Sequence, residues 1–356
     1  MATENTNFQK GRGAQKNSNN PFFKNSYVTE HIEGLDEPFM EGPVKTEFFT
    51  ENSKKIINKV DSPDLGMGFS MNPYQGCEHG CIYCYARNSH QYWGYSAGID
   101  FESKIIVKKN AAQLLAKAFD NKNWTPHPIM FSGNTDCYQP AERKFQLTRQ
   151  MLEVCLRYKN PVSMITKNSL ILRDLDILKE MAALRLLHVS VSMNSMREEI
   201  RLKLEPRTAS MPQRLKTIEE LSKNNIPVNV MVAPIIPGLT DHEIPQVIKA
   251  VADRGALSAH YTIVRLNGSI GEVFSDWVHK AFPESAEKVL HQIADCHGGQ
   301  LNDSRFGTRM RGEGKTAEAI NNLFRIARHK YMGDRELPEY DLTIFRRPSN
   351  GQMSLF

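Results

Sequence analysis

Long apolar runs are absent from this sequence. None reaches the length that spans a bilayer, and the first 20 residues lack the apolar segment of a secretory signal. Cysteine is scarce as well, with six in 356 residues, whereas a secreted domain stabilised by disulfides is smaller and denser in cysteine. We therefore expect a cytoplasmic protein with no membrane partner.

A strong excess of charge of either sign is also absent. The net charge is +5, and 24% of the residues are charged. Because the basic residues are spread along the chain rather than grouped in blocks, a solvated surface explains them, and contact with nucleic acid is permitted but not required. The hydrophobic fraction of 40% is ordinary for a globular chain with one large domain or two smaller ones.

Short β-branched runs alternate with amphipathic stretches along the middle of the chain. The predicted strands are 68–72, 129–132, 162–166, 186–192, 228–233 and 259–264, and the predicted helices are 110–119, 141–157, 171–183, 211–225 and 241–254. This alternation indicates an α/β fold with a buried parallel sheet. Six units predict a partial (β/α)6 TIM-like barrel with its site at the C-terminal strand ends. A doubly wound sheet is less favoured, because no Gly-rich dinucleotide fingerprint follows a strand.

Composition and periodicity together divide the chain into five parts. We predict a disordered, weakly basic N-terminal arm over 1–25 and an N-terminal extension over 26–65. The core follows over 66–305, a C-terminal helical extension over 306–345, and a flexible tail over 346–356.

Three cysteines lie within eight residues, at Cys77, Cys81 and Cys84. Thiolates are soft ligands that suit zinc, copper(I) and iron–sulfur clusters. A four-iron cluster normally takes four cysteines, so three close ones leave either a distant fourth ligand or an open iron. Gly76 and Gly80 give the backbone freedom that a tight loop needs. The alternative is a structural zinc site with His79 or Cys137 as fourth ligand, but no second CxxC-like pair is present.

The C-x3-C-x2-C spacing, with Tyr83 just before the last cysteine, resembles the signature of the radical S-adenosylmethionine (SAM) superfamily. The resemblance spans about residues 66–314 and is nearest to the spore photoproduct lyase-like group, often labelled "DNA repair photolyase". It implies a [4Fe–4S] cluster on Cys77, Cys81 and Cys84 whose open iron binds SAM. It further implies reductive cleavage of SAM to a 5′-deoxyadenosyl radical, with an electron donor such as flavodoxin or ferredoxin.

The same resemblance implies SAM contacts at the ends of four strands. Hydrogen-bond acceptors after the second strand suit the SAM ammonium, and a cation after the third strand suits the SAM carboxylate. Polar residues of the fourth strand suit the ribose or the carboxylate, and an apolar segment of the fifth strand suits the adenine. The alternatives are a loop that caps the next helix after the second strand, an unrelated surface lysine after the third, and a polar layer of the barrel at the fourth. The expected contacts, with two tyrosines of the cysteine segment, are Ser132, Gly133, Asn134, Thr135, Asp136, Lys167, Ser190, Ser192, Ala233, Pro234, Tyr83 and Tyr85.

Three further features have open interpretations. The aromatic segment 85–95 either stacks on bases or packs as a lid over the cluster. Glu205, Arg207 and Arg214 resemble a patch of the photolyase-like group without an assigned role, and a salt-bridged loop is the alternative. Where spore photoproduct lyases have a hydrogen-donating cysteine, this chain has Gly133; the nearby Cys137 is a candidate donor or a buried inert cysteine.

The last five residues resemble the bacterial sliding-clamp-binding motif. Gln352 is followed by Leu355 and Phe356, and apolar side chains at the tip of a polar tail gain nothing in water. The motif predicts that the tail binds a sliding clamp; packing on its own domain is the alternative.

The sequence as a whole predicts a radical SAM enzyme, lyase-like or modifying, that acts on nucleic acid in DNA repair or modification. A radical SAM enzyme acting on a peptide or small metabolite is the second hypothesis. The third is a non-catalytic, metal-stabilised adaptor that binds nucleic acid or the clamp.

Overall fold

The computed structural model describes residues 8–22 and 44–348. The strands in these residues are β1 (Glu47–Thr50), β2 (Ile57–Lys59), β3 (Phe69–Met71), β4 (Tyr74–Gln75), β5 (Lys104–Val107), β6 (Ile129–Phe131), β7 (Val162–Thr166), β8 (Leu187–Ser192), β9 (Val228–Ile235) and β10 (Ser258–Ile263). The helices are α1 (Arg87–His90), α2 (Ile99–Ser103), α3 (Ala111–Asp120), α4 (Glu142–Phe145), α5 (Leu147–Tyr158), α6 (Leu175–Ala183), α7 (Glu198–Leu204), α8 (Met211–Lys223), α9 (Ile244–Ala252), α10 (Ile270–Ala281), α11 (Ala286–Asp295) and α12 (Gly314–Met332).

The main sheet confirms the predicted order of parallel strands. Its order is β10-β9-β8-β7-β6-β3-β2, and β3, β6, β7, β8, β9 and β10 run parallel to their neighbours. The strand β2 pairs antiparallel at the edge. Within residues 8–22 and 44–348, β10 pairs with β9 alone, so the hydrogen-bonded sheet is open at that edge. These six strands in chain order are the predicted partial (β/α)6 arrangement.

Alternation along the strands separates an apolar face from a polar one. In β8, Val189 and Val191 belong to the core that the sheet shares with the surrounding helices. Because successive side chains point to opposite faces, Ser190 and Ser192 lie on the other face, which we call the inner face of the sheet. The inner face of β8 is therefore polar, as expected for a face that carries a site.

Local backbone geometry shortens three of the predicted helices. The stretch 141–157 forms two helices, because Gln146 has a φ of +50° between α4 and α5. The stretches 171–183 and 241–254 begin as 3-10 turns at Ser169–Asp174 and Asp241–Glu243 before α6 and α9 start. None of these changes alters the strand order.

The N-terminal extension forms additional strands beside the core. The strand β1 pairs parallel with β5, and β5 pairs antiparallel with β4, which makes a small second sheet next to the cysteine segment. The C-terminal extension contributes α12, whose Ile320 and Phe324 pack on the main core. No helix in the described parts of the chain is long and apolar enough to cross a bilayer.

Residues 8–22 differ from the prediction of a disordered arm over 1–25. Arg12, Ala14, Gln15 and Ser18 are buried in this segment. It lies against the segment that follows the cysteines, and hydrogen bonds of its backbone and of its polar side chains hold it there. A segment bound through such hydrogen bonds needs no apolar periodicity, which is why its sequence resembled a solvated tail.

Candidate radical SAM site

The three clustered cysteines lie on one loop between β4 and α1. Cys77, Cys81 and Cys84 are free thiols; the first two are buried and the third is half-buried. Gly76 and Gly80 have φ values of +79° and +68°, a region that favours glycine. A Cβ on Gly76 would lie 2.9 Å from the Lys104 carbonyl oxygen, so the loop also needs glycine for space.

The donor set of this loop fits an iron–sulfur cluster. Burial raises the pKa of Cys81, and the nearby Lys167 ammonium opposes that rise. Soft thiolates are the ligands such clusters take, with one cysteine on each iron. In the described ranges 8–22 and 44–348, no three His, Cys, Asp or Glu side chains converge on a position for a single metal ion.

Asp136 joins the cysteine loop to the ends of two strands. Its carboxylate accepts hydrogen bonds from Thr166 Oγ1 at 2.8 Å and from the backbone amides of Lys167 and Tyr138 at 2.8 and 2.9 Å. His79 Nδ1 lies 3.2 Å from its Oδ2. Burial raises the pKa of Asp136, but His79 and the hydrogen bonds outweigh it and lower the pKa to about 2. Asp136 is therefore ionised at neutral pH, and its oxygens already have partners within the protein.

The other acceptors after β6 are also bound within the chain. Ser132 Oγ accepts from the Cys137 amide at 2.9 Å, and Thr135 Oγ1 donates to the Tyr74 carbonyl oxygen at 2.9 Å. Asn134 donates to Gln75 Oε1 at 2.6 Å. These hydrogen bonds fix the conformation of the loop, and the expected contacts of its side chains with SAM stay predictions.

Gly133 allows the same loop to approach its neighbours closely. A Cβ there would lie 2.8 Å from Ser70 Cβ. Its carbonyl oxygen accepts a hydrogen bond of 2.6 Å from the Tyr85 hydroxyl. Tyr85 directly follows Cys84, so this bond ties the cysteine loop to the loop after β6.

Lys167 places a cation beside the cysteine loop at the end of β7. Its Nζ lies 5.9 Å from the centroid of the Tyr83 ring. Burial lowers the pKa of Lys167, but Cys81 and Glu205 raise it by more, so the ammonium is charged at neutral pH. A charged ammonium beside the cysteine loop suits an anionic ligand such as a carboxylate.

Glu205 and Arg214, whose roles the sequence left open, form a buried ion pair. Arg214 Nη2 contacts Glu205 Oε2, and the Tyr83 hydroxyl donates to Glu205 Oε1. Arg214 also donates to the Ser192 carbonyl oxygen at 3.0 Å. Burial raises the pKa of Glu205, but Arg214 and Lys167 lower it by more. The pair therefore links the cysteine loop, the end of β8 and α8, as the salt-bridged alternative anticipated.

The inner face of the sheet continues the polar layer to β9 and β10. Ser190 Oγ accepts from Asn229 Nδ2 at 3.0 Å, and Asn229 Oδ1 lies 2.9 Å from His260 Nδ1. Ser190 thus belongs to a polar layer, while Ala233 and Pro234 are half-buried at the end of β9.

Cys137 lies in the main core. It has no exposed surface and packs among apolar side chains, and burial raises its pKa well above the ordinary value. The buried, inert alternative fits this position, and the hydrogen-donor role stays a prediction. Cys137 packs in a different apolar cluster from the three clustered thiols.

A cleft of about 430 Å³ opens next to the cysteine loop. Its lining includes Phe22, Tyr85, Asn88, Tyr92, Asn134 and Asn267. Tyr92 is 76% exposed, and its ring centroid lies 4.7 Å from that of Phe22. Segment 85–95 thus exposes aromatic rings along the cleft, which favours the stacking interpretation over a closed lid.

Comparisons with known proteins agree with this geometry. A family model described as the Radical SAM superfamily matches residues 71–251. The chain therefore belongs to the radical SAM superfamily, and the recognition made from the cysteine spacing is confirmed.

Similar proteins occur in bacteria, archaea and phage. An uncharacterized protein of Mycobacterium tuberculosis is 32% identical over 65% of this chain and 69% of its own length. One of Methanocaldococcus jannaschii is 28% identical over 70% and 89%. A protein of Pseudomonas phage M6 named radical SAM Nalpha-GlyT isomerase is 24% identical over 62% and 44%.

Among solved structures, the fold is similar to that of spore photoproduct lyase. One variant of that enzyme aligns with a TM-score of 0.60 at 15% identity over 80% of both chains. A complex with a dinucleoside spore photoproduct aligns with a TM-score of 0.59 at 14% identity over 80% of both chains. The likeness confirms the α/β fold with its parallel sheet.

Proposed function

We propose that this protein is a cytoplasmic radical SAM enzyme that binds a [4Fe–4S] cluster through Cys77, Cys81 and Cys84 and acts on nucleic acid. The observation that carries the proposal is the glycine-hinged loop of three free thiols inside a radical SAM domain. When bound, the reduced cluster and SAM supply a 5′-deoxyadenosyl radical, with electrons from a donor such as flavodoxin or ferredoxin.

The chain's own residues bind and orient SAM in this proposal. Lys167 pairs with the SAM carboxylate in this proposal, since its charged ammonium lies beside the cysteine loop. Ser192, Ala233 and Pro234 border the ribose and adenine on the inner face. The residues from Ser132 to Asp136 hold the loop after β6 in shape, because their side chains are already bonded within the chain.

The cleft supports nucleic acid as the substrate class. Exposed aromatic rings stack on unpaired bases, and the amides of Asn88 and Asn267 match the polar edges of bases. A spore photoproduct lyase structure contains a dinucleoside, which is consistent with a nucleic-acid substrate on this fold. Tyr92 and Phe22 are the residues best placed to stack.

We therefore predict that Tyr92→Ala weakens binding of a single-stranded oligonucleotide about tenfold, because one base–aromatic stack contributes about 1–3 kcal/mol. Fluorescence anisotropy with a labelled oligonucleotide at low salt measures the affinity. Ile326→Ala, which removes a 57% exposed apolar side chain on α12, is the matched control and leaves the affinity unchanged. A wild-type protein that binds no oligonucleotide would contradict the nucleic-acid substrate and favour a peptide or small metabolite.

We also propose a bacterial sliding clamp as a partner of the C-terminal tail. Gln352, Leu355 and Phe356 lie outside the described residues, so the proposal rests on the motif. Full-length protein is expected to be retained on immobilised clamp, and the Gln352→Ala, Phe356→Ala variant is not. If the clamp retains both proteins equally, or retains neither, the proposal is contradicted.

A further inference from the structure

A buried ion pair between Arg87 and Glu102 contacts the backbone of the cysteine loop. Arg87 is fully buried and donates to the carbonyl oxygens of Cys81 and Gly80 at 2.9 and 3.2 Å. It also donates to Glu102 Oε1 at 2.5 Å, and Glu102 is fully buried as well. The Arg87–Glu102 pair therefore fixes the backbone of the loop between two of its thiols.

The N-terminal strap, residues 8–22, completes this pair. The Gly13 and Ala14 amides donate to Glu102 Oε2 and Oε1 at 3.1 and 2.7 Å. Arg12 Nη1 donates to the Glu102 carbonyl oxygen at 3.0 Å. Hydrogen bonds to a buried carboxylate are charge-assisted and about twice as strong as neutral ones. Without the strap, the Glu102 carboxylate loses two of its donors.

The strap also touches the loop directly. A Cβ on Gly13 would lie 1.8 Å from the Gly80 carbonyl oxygen, so no side chain fits between the two backbones. A Cβ on Gly80 would lie 2.8 Å from Glu102 Oε2. Further along, Ser18 donates its amide to Ser96 Oγ at 2.8 Å, and Asn20 donates to the Gln91 carbonyl oxygen at 2.9 Å. The strap therefore contacts the chain between Gly80 and Ser96, from the cysteine loop to the cleft.

We propose that the N-terminal strap is a positioning element of the cluster-binding loop. Acting through Glu102 and Arg87, it holds the Gly80 and Cys81 backbone in the form that binds the cluster and shields the thiols from solvent. The inference rests on the proposed cluster site, but the protection of the thiols exists in the apo protein too and is measurable there.

The variant Gly13→Ala tests the strap with the smallest change that removes the close approach. Gly66→Ala is the matched control, because a Cβ at Gly66 meets nothing within 4 Å. Removal of residues 1–22 is the second test. The primary readout is the rate at which iodoacetamide alkylates Cys81 in the apo protein, followed by mass spectrometry, with the fully buried Cys155 as internal reference.

We expect both strap variants to raise the alkylation rate of Cys81 about tenfold and to leave the alkylation rate of Cys155 unchanged. A factor of about ten corresponds to the loss of one charge-assisted hydrogen bond. After reconstitution, the same variants lose iron about tenfold faster in air. Unchanged Cys81 rates, or equal acceleration at Cys155, overturn the inference. If wild-type protein binds no iron while the alkylation difference persists, the proposed function fails and the strap's action on the loop stands.

Discussion

The variant Arg214→Met is expected to lower the free energy of unfolding by about 3–5 kcal/mol, because it leaves a buried carboxylate without its counter-ion. The Glu205 side chain is fully buried. The variant also removes donors from the Ser192 and Ala209 carbonyl oxygens, which accept from Arg214 at 3.0 Å each. Few substitutions in a protein of this kind reach such a magnitude.

Urea unfolding of the apo protein measures this effect. The matched control is Arg325→Met on α12, an exposed arginine whose replacement changes the free energy of unfolding by less than about 0.5 kcal/mol. Adding Glu205→Gln to Arg214→Met recovers part of the loss, since a neutral amide costs less to bury than a carboxylate. A loss below about 1 kcal/mol in Arg214→Met would show that Glu205 finds another partner.

The fold was predictable because its signals are local and repeated. The parallel strands β7, β8, β9 and β10 contain β-branched residues and are each followed by a helix, and the strand at 162–166 has the predicted bounds. The cysteine loop was predictable for the same reason, since all three thiols and both glycines lie within nine residues. Helix ends were less predictable, as at Gln146, where a positive φ occurs without glycine.

The partners of polar side chains could not be predicted in the same way. The sequence shows that Asp136 and Thr135 carry acceptors, but not that the Lys167 amide, Thr166 and the Tyr74 carbonyl group lie close enough to bond with them. Those contacts depend on how neighbouring strands end in space. Residue type alone therefore does not predict these internal hydrogen bonds, and the expected contacts of both side chains with SAM stay predictions.

The N-terminal strap was missed because its contacts come from backbone groups and scattered polar side chains. Gly13 and Ala14 contribute amides, and neither residue type signals a bond to a carboxylate at Glu102, 88 positions beyond Ala14. The sequence does not distinguish a glycine that must approach another backbone closely from a glycine in a flexible tail. Only the packed structure separates the two.

The central claim is that Cys77, Cys81 and Cys84 hold a cluster at which SAM is cleaved. The variant Cys81→Ala is expected to lower the yield of 5′-deoxyadenosine at least about a hundredfold, because loss of a metal ligand exceeds the 10–100-fold effect of losing a residue that only orients one. Cys155→Ala is the control, since that cysteine lies in the core away from the clustered thiols.

The direct measurement is anaerobic. Wild type, Cys81→Ala and Cys155→Ala are reconstituted with iron and sulfide, reduced and given SAM, and 5′-deoxyadenosine is quantified by chromatography. The account predicts 5′-deoxyadenosine from wild type and Cys155→Ala and almost none from Cys81→Ala. No 5′-deoxyadenosine from wild type, or equal yields from all three proteins, would contradict it, and zinc in place of iron would point to the metal-stabilised adaptor.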